Sequence, residues 1–527
     1  MRIPDQRPLT IRGARRPLPD GRTSGPLDLV VADGRIAEIA PSGGSTAIPD
    51  GADVLDADGR LALPGFVDAH VHGEAAVLEP EVQLAMLRQG VTSIVVGQDG
   101  VSWAPSSPAT ARWASDYFTA INGEHPTFRG GSVADLLAGY VGTTPVNVAY
   151  LVPHGTLRHA VVGTEARPAT PAELDAMTAL LRAALDDGAV GLSTGLEYVP
   201  AAYADETELV TLARVVAERS LPHVSHMRGY EEKAGPAFAE LVRVARASGV
   251  ATHVSHYHGP AAELAGYVDE ARACGLDVTF DSYPYLRGCS ILSMVALPTW
   301  LPIAEPDATL AALSDPAVLA RLHREHFPGL ADLWARVTLA AVPTETPGEL
   351  AWAEGMTLPD VAARLGTTPT DAAVRILVAT RLRASCVFAQ PPTNSAESVR
   401  TLLRHPAQMG GSDAIYQPVA GGRPHPRGWG AFARFLAEHV RTLGDWTWHE
   451  AEQHLSASAA RRFGLADRGV LRPGAAADVV LVDPDRVQDE ATYEAPRRPA
   501  SGIDDVLVAG LRVLADGALT GAAPGRP

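Results

Sequence analysis

Cysteine is scarce in this chain. Cys274, Cys289 and Cys386 are the only three among 527 residues. A scattered, odd-numbered set forms neither a disulfide framework nor a zinc knuckle, and suits a reducing cytoplasm. No apolar run reaches the length of a membrane span. The N-terminal stretch MRIPDQRPLTIRGARRPLPDG has basic residues without the apolar stretch of a secretory signal. The expected location is therefore cytoplasmic. Positive charge is also short: 44 Lys and Arg face 61 Asp and Glu, a net charge of -17. That balance argues against nucleic acid or an anionic membrane as partner. What remains is an ordinary globular composition, 46% hydrophobic and 20% charged. The chain is long enough for one large core and a satellite domain.

The stretch Leu61–Glu74, LALPGFVDAHVHGE, sets the organisation. Alternate side chains of a strand share a face, which puts Asp68, His70 and His72 on one side of its end. Two imidazoles so spaced can grip one metal ion. Before it lie short strand-like pieces, Leu27–Val31, Arg35–Ile39 and Asp53–Asp56, with Asp33-Gly34 as a hairpin turn. After it an amphipathic segment, a glycine and an apolar β-branched run recur. Pro80–Gln89 leads to Val91–Val96, Pro171–Asp187 to Ala189–Leu192, Phe238–Ser248 to Val250–Val254, and Ala261–Cys274 to Leu276–Phe280. Glycine past a helix supplies its left-handed terminus, and the apolar runs read as strands buried on both faces.

Adding Leu61–Val71, Val146–Val152, Pro222–Ser225 and a run near Met409 gives eight candidate strands. The pattern predicts an α/β fold, a (β/α)8 barrel, with an open doubly wound sheet as the alternative. No glycine-rich phosphate loop follows the first strand to support that alternative. The rhythm breaks between Tyr285 and Arg404. Leu313–Phe327 and Thr357–Thr380 look helical and Val337–Val342 is a lone strand, too much chain for a βα loop. We read it as an insertion over one barrel mouth, about 286–404. From about Leu465 short strands return, at Val479–Val482, Val506–Val508 and Arg512–Leu514. The expected division is a small β-sandwich from residues 1–61 and 465–527 and a barrel over 62–464.

Chemistry-bearing residues gather at strand ends. Val224-Ser225-His226 and Val254-Ser255-His256 repeat one tripeptide thirty residues apart, one βα unit, so both histidines should face the barrel mouth with His70 and His72. Imidazole-rich hydrolytic sites favour zinc. Asp99 ends the second strand and is a further candidate ligand, with Glu74 a fainter one. Asp413, in Gly411-Ser412-Asp413, ends the last strand, where an aspartate can take a proton from an activated water and pass it to a leaving group. Arg228, Arg427, Tyr198 and Tyr283 supply the cation and phenol donors that carboxylate recognition needs.

These residues sit in motifs that resemble the amidohydrolase superfamily, most closely its D-aminoacylase branch, the N-acyl-D-amino-acid deacylases. They are LPGFVDAHVH (Leu63–His72), HGTLR (His154–Arg158), GLSTGLEYVP (Gly191–Pro200), SHMR (Ser225–Arg228), VSH (Val254–His256), YPY (Tyr283–Tyr285), GSD (Gly411–Asp413), HPR (His425–Arg427) and RFGLADRGVLRPGAAADVVLVDP (Arg462–Pro484). The resemblance implies a barrel with a β-sandwich from both termini and a lid-like insertion. It implies zinc-dependent hydrolysis of N-acyl-D-amino acids, small-molecule substrates. His226 and His256 would hold the tight zinc, His70 and His72 would line a weaker site, and Asp413 would act as base and then acid. Tyr283 and Arg427 would bind substrate, with Tyr198 nearby.

Two positions depart from the branch. Asp99 stands where a cysteine is usual, and His258 where a lysine is usual, leaving His258 as a candidate substrate contact. Rival readings are an amidohydrolase acting on a cyclic amide or a dipeptide, and an inactive binding protein on the same scaffold. Relatives acting on cyclic amides usually carry a bridging carboxylated lysine. No lysine lies in the strand-end motifs here, and Lys233 follows SHMR in a loop.

Overall fold

A computed structural model of the chain describes residues 7–43, 51–346, 348–465 and 467–527. The first six residues of the N-terminal stretch read above lie outside the described residues. Eight parallel strands form the centre: β1 (Phe66–Asp68), β2 (Val91–Val96), β3 (Asn147–Tyr150), β4 (Leu192–Gly195), β5 (Pro222–His226), β6 (Ala251–Val254), β7 (Val278–Ser282) and β8 (Gln408–Gly410). Val152–Pro153 continues β3 and pairs with β4. Neighbours pair in chain order from β1 to β8. Ala69 N donates to Gly410 O at 3.1 Å and Asp413 N to His70 O at 2.8 Å, joining the last strand to the first. That closure makes a barrel and excludes the open sheet. Every residue of β2 is buried, as expected of a strand covered on both faces.

Leu61–Val71 is not one strand. Pro64-Gly65 breaks it, because proline cannot donate to a ladder. Leu61–Pro64 pairs antiparallel with Val479–Val482 in a five-stranded sheet, and only Phe66–Asp68 enters the barrel. A second sheet of four strands joins Leu9–Ala14, Leu27–Ala32, Arg35–Pro41 and Asp53–Asp56. Ile11, Leu29, Val31 and Ile36 pack against Val479, Leu481 and Leu507 in one core, so the two chain ends share a β-sandwich. The hairpin turn lies at Asp33-Gly34, both with positive φ, the pairing that matches strand twist.

The insertion is better ordered than the sequence suggests. Val337–Ala341 is no lone strand: it pairs with Ser385–Ala389, which pairs with Arg287–Ile291, in an antiparallel sheet of three. Thr357–Thr380 is two helices, Leu358–Leu365 and Pro369–Ala379, separated where Gly366 turns left-handed. The helical stretch expected at Leu313–Phe327 is the helix Pro316–Glu325, and a further helix, Pro306–Leu313, precedes it. β4 and β7 begin two or three residues later than their apolar runs imply, at Leu192 and Val278. Among the described residues, no helix is long and apolar enough to cross a membrane.

Candidate active site

The C-terminal ends of the strands converge on one cluster. His70 and His72 follow β1, His226 ends β5, and His256 follows β6. Asp99 sits in the turn Gln98–Gly100 after β2 with φ of 56°. Its Oδ1 lies 3.7 Å from His70 Nε2 and 3.7 Å from His256 Nε2. Its Oδ2 lies 3.5 Å from His72 Nε2 and 3.8 Å from His226 Nδ1. One carboxylate thus reaches four imidazoles. Two glycines make the approach possible. A Cβ on Gly195 would lie 2.0 Å from Asp99 O, and one on Gly97 2.2 Å from Leu151 O.

The cluster is built for a cation. His226 Nδ1 and His256 Nε2 are 2.9 Å apart, close to the ~3.3 Å that two nitrogens bound to one tetrahedral zinc would show. Among the described residues, buried His70 Nε2 and Asp99 Oδ1 have no hydrogen-bond partner. Burial alone would lower the His70 pKa, but the Asp281, Asp99 and Asp413 carboxylates outweigh it and raise the group to about 10. Burial likewise pushes Asp99 up, and His70, His256 and His72 pull it well below the usual range. Two donor sets emerge, His70–Asp99–His256 and His70–His72–Asp413. The residues present therefore fit a metal ion.

Asp413 has φ of 49°. Its Oδ1 lies 3.7 Å from both His70 Nε2 and His72 Nε2, and its Oδ2 lies 2.9 Å from Arg427 Nη1. Arg427 is fully buried, and among the described residues its guanidinium nitrogens have this ion pair but no acceptor in hydrogen-bond geometry. Its guanidinium carbon lies 4.7 Å from the Tyr283 ring centroid. His425 Nδ1 accepts from Arg427 N at 3.0 Å and fixes the HPR turn. The Tyr198 hydroxyl is 3.3 Å from His226 Nδ1. His258 donates from Nδ1 to His256 O at 2.7 Å and stacks on Tyr230. Burial pushes its pKa down to about 4, so it faces the cavity as a neutral ring.

Two sequence expectations change. Arg228 is not free to bind a ligand. Nε and Nη2 hold Glu240 at 3.0–3.2 Å, while Nη1 and Nη2 donate to Ala202 O and Ala204 O at 2.7 and 3.1 Å. It clamps helix Ala234–Ser248 to the loop after β4. Glu74 belongs to neither donor set. Its Oε1 accepts from Gly97 N and Ser102 Oγ, both at 2.9 Å, and steadies the loop that carries Asp99. Asp68 likewise turns from the metal cluster to accept from Ser412 N at 2.8 Å.

Sequence reasoning missed the residues that aim the histidines. Asp281 Oδ2 is 2.9 Å from His253 Nε2 and 3.4 Å from His70 Nδ1, and its Oδ1 accepts from His256 N at 2.8 Å. Asn122 Oδ1 is 3.1 Å from His72 Nδ1. Glu197 Oε2 is 2.9 Å from His226 Nε2, which turns Nδ1 inward. An acidic residue at the end of β7, two before Tyr283, was a readable signal for Asp281. Asn122 and Glu197 carried none.

The model of the Amidohydrolase family matches residues 53–514. The N-acyl-D-glutamate deacylase of Alcaligenes xylosoxydans xylosoxydans is 36% identical over 471 residues, covering 87% of this chain and 84% of that protein. The D-aminoacylase of the same organism is 31% identical over 527 residues, covering 95% and 98%. Among solved structures, the Bordetella bronchiseptica N-acyl-D-glutamate deacylase, complexed with zinc and a phosphonate inhibitor mimicking the tetrahedral intermediate, superposes with a TM-score of 0.79. It is 34% identical and covers 98% of both chains. A dihydropyrimidinase from Brevibacillus agri shares the fold at 14% identity and a TM-score of 0.58. With a barrel, a two-ended β-sandwich and a histidine–aspartate cluster at the strand ends, this chain belongs to the amidohydrolase family, in its D-aminoacylase branch.

Proposed function

We propose that this protein is a metal-dependent hydrolase that cleaves the amide bond of N-acyl-D-amino acids, releasing a carboxylate and a free D-amino acid. The observation that carries the reading is the place of Asp413, with one oxygen toward His70 and His72 and the other on Arg427. A proton acceptor there stands between a metal cluster and a buried guanidinium able to hold a substrate carboxylate. The family relationship and the zinc-bound deacylase relative support the same reading.

Asp99, His226 and His256 would hold one zinc tightly, with His70 and His72 lining a second, weaker position. Zinc there supplies Lewis acidity and a water acidic enough to ionise near neutral pH. Asp413 takes the proton of the attacking water and returns it to the departing amine. Tyr198, 3.3 Å from His226, donates a hydrogen bond from its hydroxyl to the developing oxyanion. Arg427 and Tyr283 hold the substrate carboxylate at the β7–β8 side, and His258 offers a neutral contact on the β6 side. In domain terms the proposal is a barrel over 62–464 with an insertion at about 286–404, and a sandwich from 1–61 and 465–527.

The test is Asp413→Asn, assayed on N-acetyl-D-amino acids with metal content read on the same sample. Metal should stay bound while kcat falls by about 10²–10⁴-fold, the usual worth of a general acid–base group. Activity retained within a few-fold would remove Asp413 from the chemistry.

A further inference from the structure

The metal cluster opens into a cavity of about 1230 Å³. Pockets for drug-sized ligands measure about 300–1,000 Å³, and an acetylated amino acid is smaller than such ligands. The excess space has a character of its own. Outside the metal cluster, the charged side chains of the cavity are Glu197, Arg228, Glu231, Glu232, Lys233 and Glu263 over the β4 to β6 side, and Asp332 and Arg336 from the insertion. Beside β2 and β4 the lining is mainly apolar, with Ile121, Leu196, Met294, Val295, Leu297 and Pro298, and Glu197 at its edge is held on His226.

Orientation follows from the anchors. Arg427 and Tyr283 belong to the β7–β8 side, so the amino-acid half of the substrate lies there, with its nitrogen beside Asp413. The acyl substituent must then leave the carbonyl carbon in the opposite direction. That direction is the apolar wall. Ile121 precedes Asn122, which touches His72, and Leu196 follows Gly195, which packs on the Asp99 backbone. Met294, Val295, Leu297 and Pro298 come from the insertion. The Tyr203 hydroxyl donates to Thr299 O at 2.8 Å, which ties that stretch to the loop after β4. Ile121 and Leu297 are part of one apolar cluster running into the insertion, with Met294 and Val295 packed against it, so the wall is held in place.

Resting on the deacylase reading, we propose that the apolar wall beside β2 and β4 is an acyl pocket, and that the substrates carry a long apolar N-acyl group rather than acetyl. A series of one D-amino acid acylated with two, four, six, eight and ten carbons tests this with the zinc-loaded full chain. kcat/KM should rise about two- to fourfold per added methylene until the wall is covered, as apolar burial requires. Met294→Gln and Val295→Asn, at partly exposed positions where folding tolerates polarity, should each lower the ratio of octanoyl to acetyl kcat/KM at least fivefold. A flat or falling series with acetyl substrate still turned over would overturn the acyl pocket and leave the deacylase reading standing. A rise with side-chain hydrophobicity instead of acyl length would also overturn it, because the wall would then hold the side chain. No turnover of any member would overturn both.

Discussion

Arg228 lines the cavity and Arg427 lies buried against Asp413, and their surroundings assign the two arginines opposite consequences. Arg228 spends its donors on Glu240 and on two backbone carbonyls, with about a third of its side chain exposed. Arg228→Gln therefore breaks a partly exposed charge-assisted clamp between a barrel helix and the loop after β4. A hydrogen bond to a charged group contributes about 1.5–3 kcal/mol, and solvent screening at this exposure puts the total loss near ~1–3 kcal/mol. The cost appears as a lower denaturant midpoint, with KM changed less than threefold. Arg427 is buried and, among the described residues, has the Asp413 ion pair at 2.9 Å and no hydrogen-bond acceptor, so its remaining donors are available to a ligand. Truncating one partner of a buried charge pair at a binding site costs about 2–5 kcal/mol, so Arg427→Gln should lower kcat/KM by roughly 30- to 5,000-fold. The assay is initial rates over a range of N-acetyl-D-amino acid concentrations, with unfolding curves on the same samples. If Arg228→Gln raised KM thirtyfold at unchanged stability, the division of labour drawn from these contacts would be refuted. The same holds if Arg427→Gln left kcat/KM within threefold.

Other consequences are sharp enough to check. Glu197→Gln should weaken zinc binding about 10- to 100-fold, the usual effect of losing a carboxylate that aims a ligand histidine. Equilibrium dialysis reads it, and an unchanged dissociation constant would separate Glu197 from the metal. Burial holds His125 down to about 4 and His223 to about 3. Below pH ~6.5 the unfolded chain takes up protons that these two native side chains refuse, so stability falls as pH drops from ~6.5 toward 4. Each contributes about 1.4 kcal/mol per pH unit there. His125 Nδ1 accepts from Phe128 N at 3.0 Å, an acceptor that Asn can mimic. In His125→Asn the slope of stability against pH should lessen by about one proton, and equal slopes would contradict the assignment.

The barrel and the residues that cluster at its mouth were legible because each strand announces itself locally. An apolar run ends in a chemically distinctive residue: His70, His72, Asp99, His226, His256 or Asp413. What stayed hidden is what sequence spacing does not encode. The partners that aim the histidines come from other elements: Asn122 for His72, fifty residues on, and Asp281 for His70, more than two hundred residues on. Arg228 looked like a ligand because its type and position suit one, and only the fold brings Glu240 and two carbonyls to it. The strand at Val337–Ala341 looked solitary because its partner, Ser385–Ala389, is more than forty residues away. Leu61–Pro64 misled for a simpler reason. An apolar strand entering a barrel and one in a sandwich have the same composition, and Pro64 was the sole sign of the change.

The central claim is tested most directly by hydrolysis of matched N-acyl-D- and N-acyl-L-amino acids by the zinc-loaded protein, with metal content measured on the same sample. The account predicts turnover of the D series alone, with at least one zinc held tightly by a site whose carboxylate is Asp99. Tightly bound zinc without turnover of either series, or equal turnover of both, would contradict it.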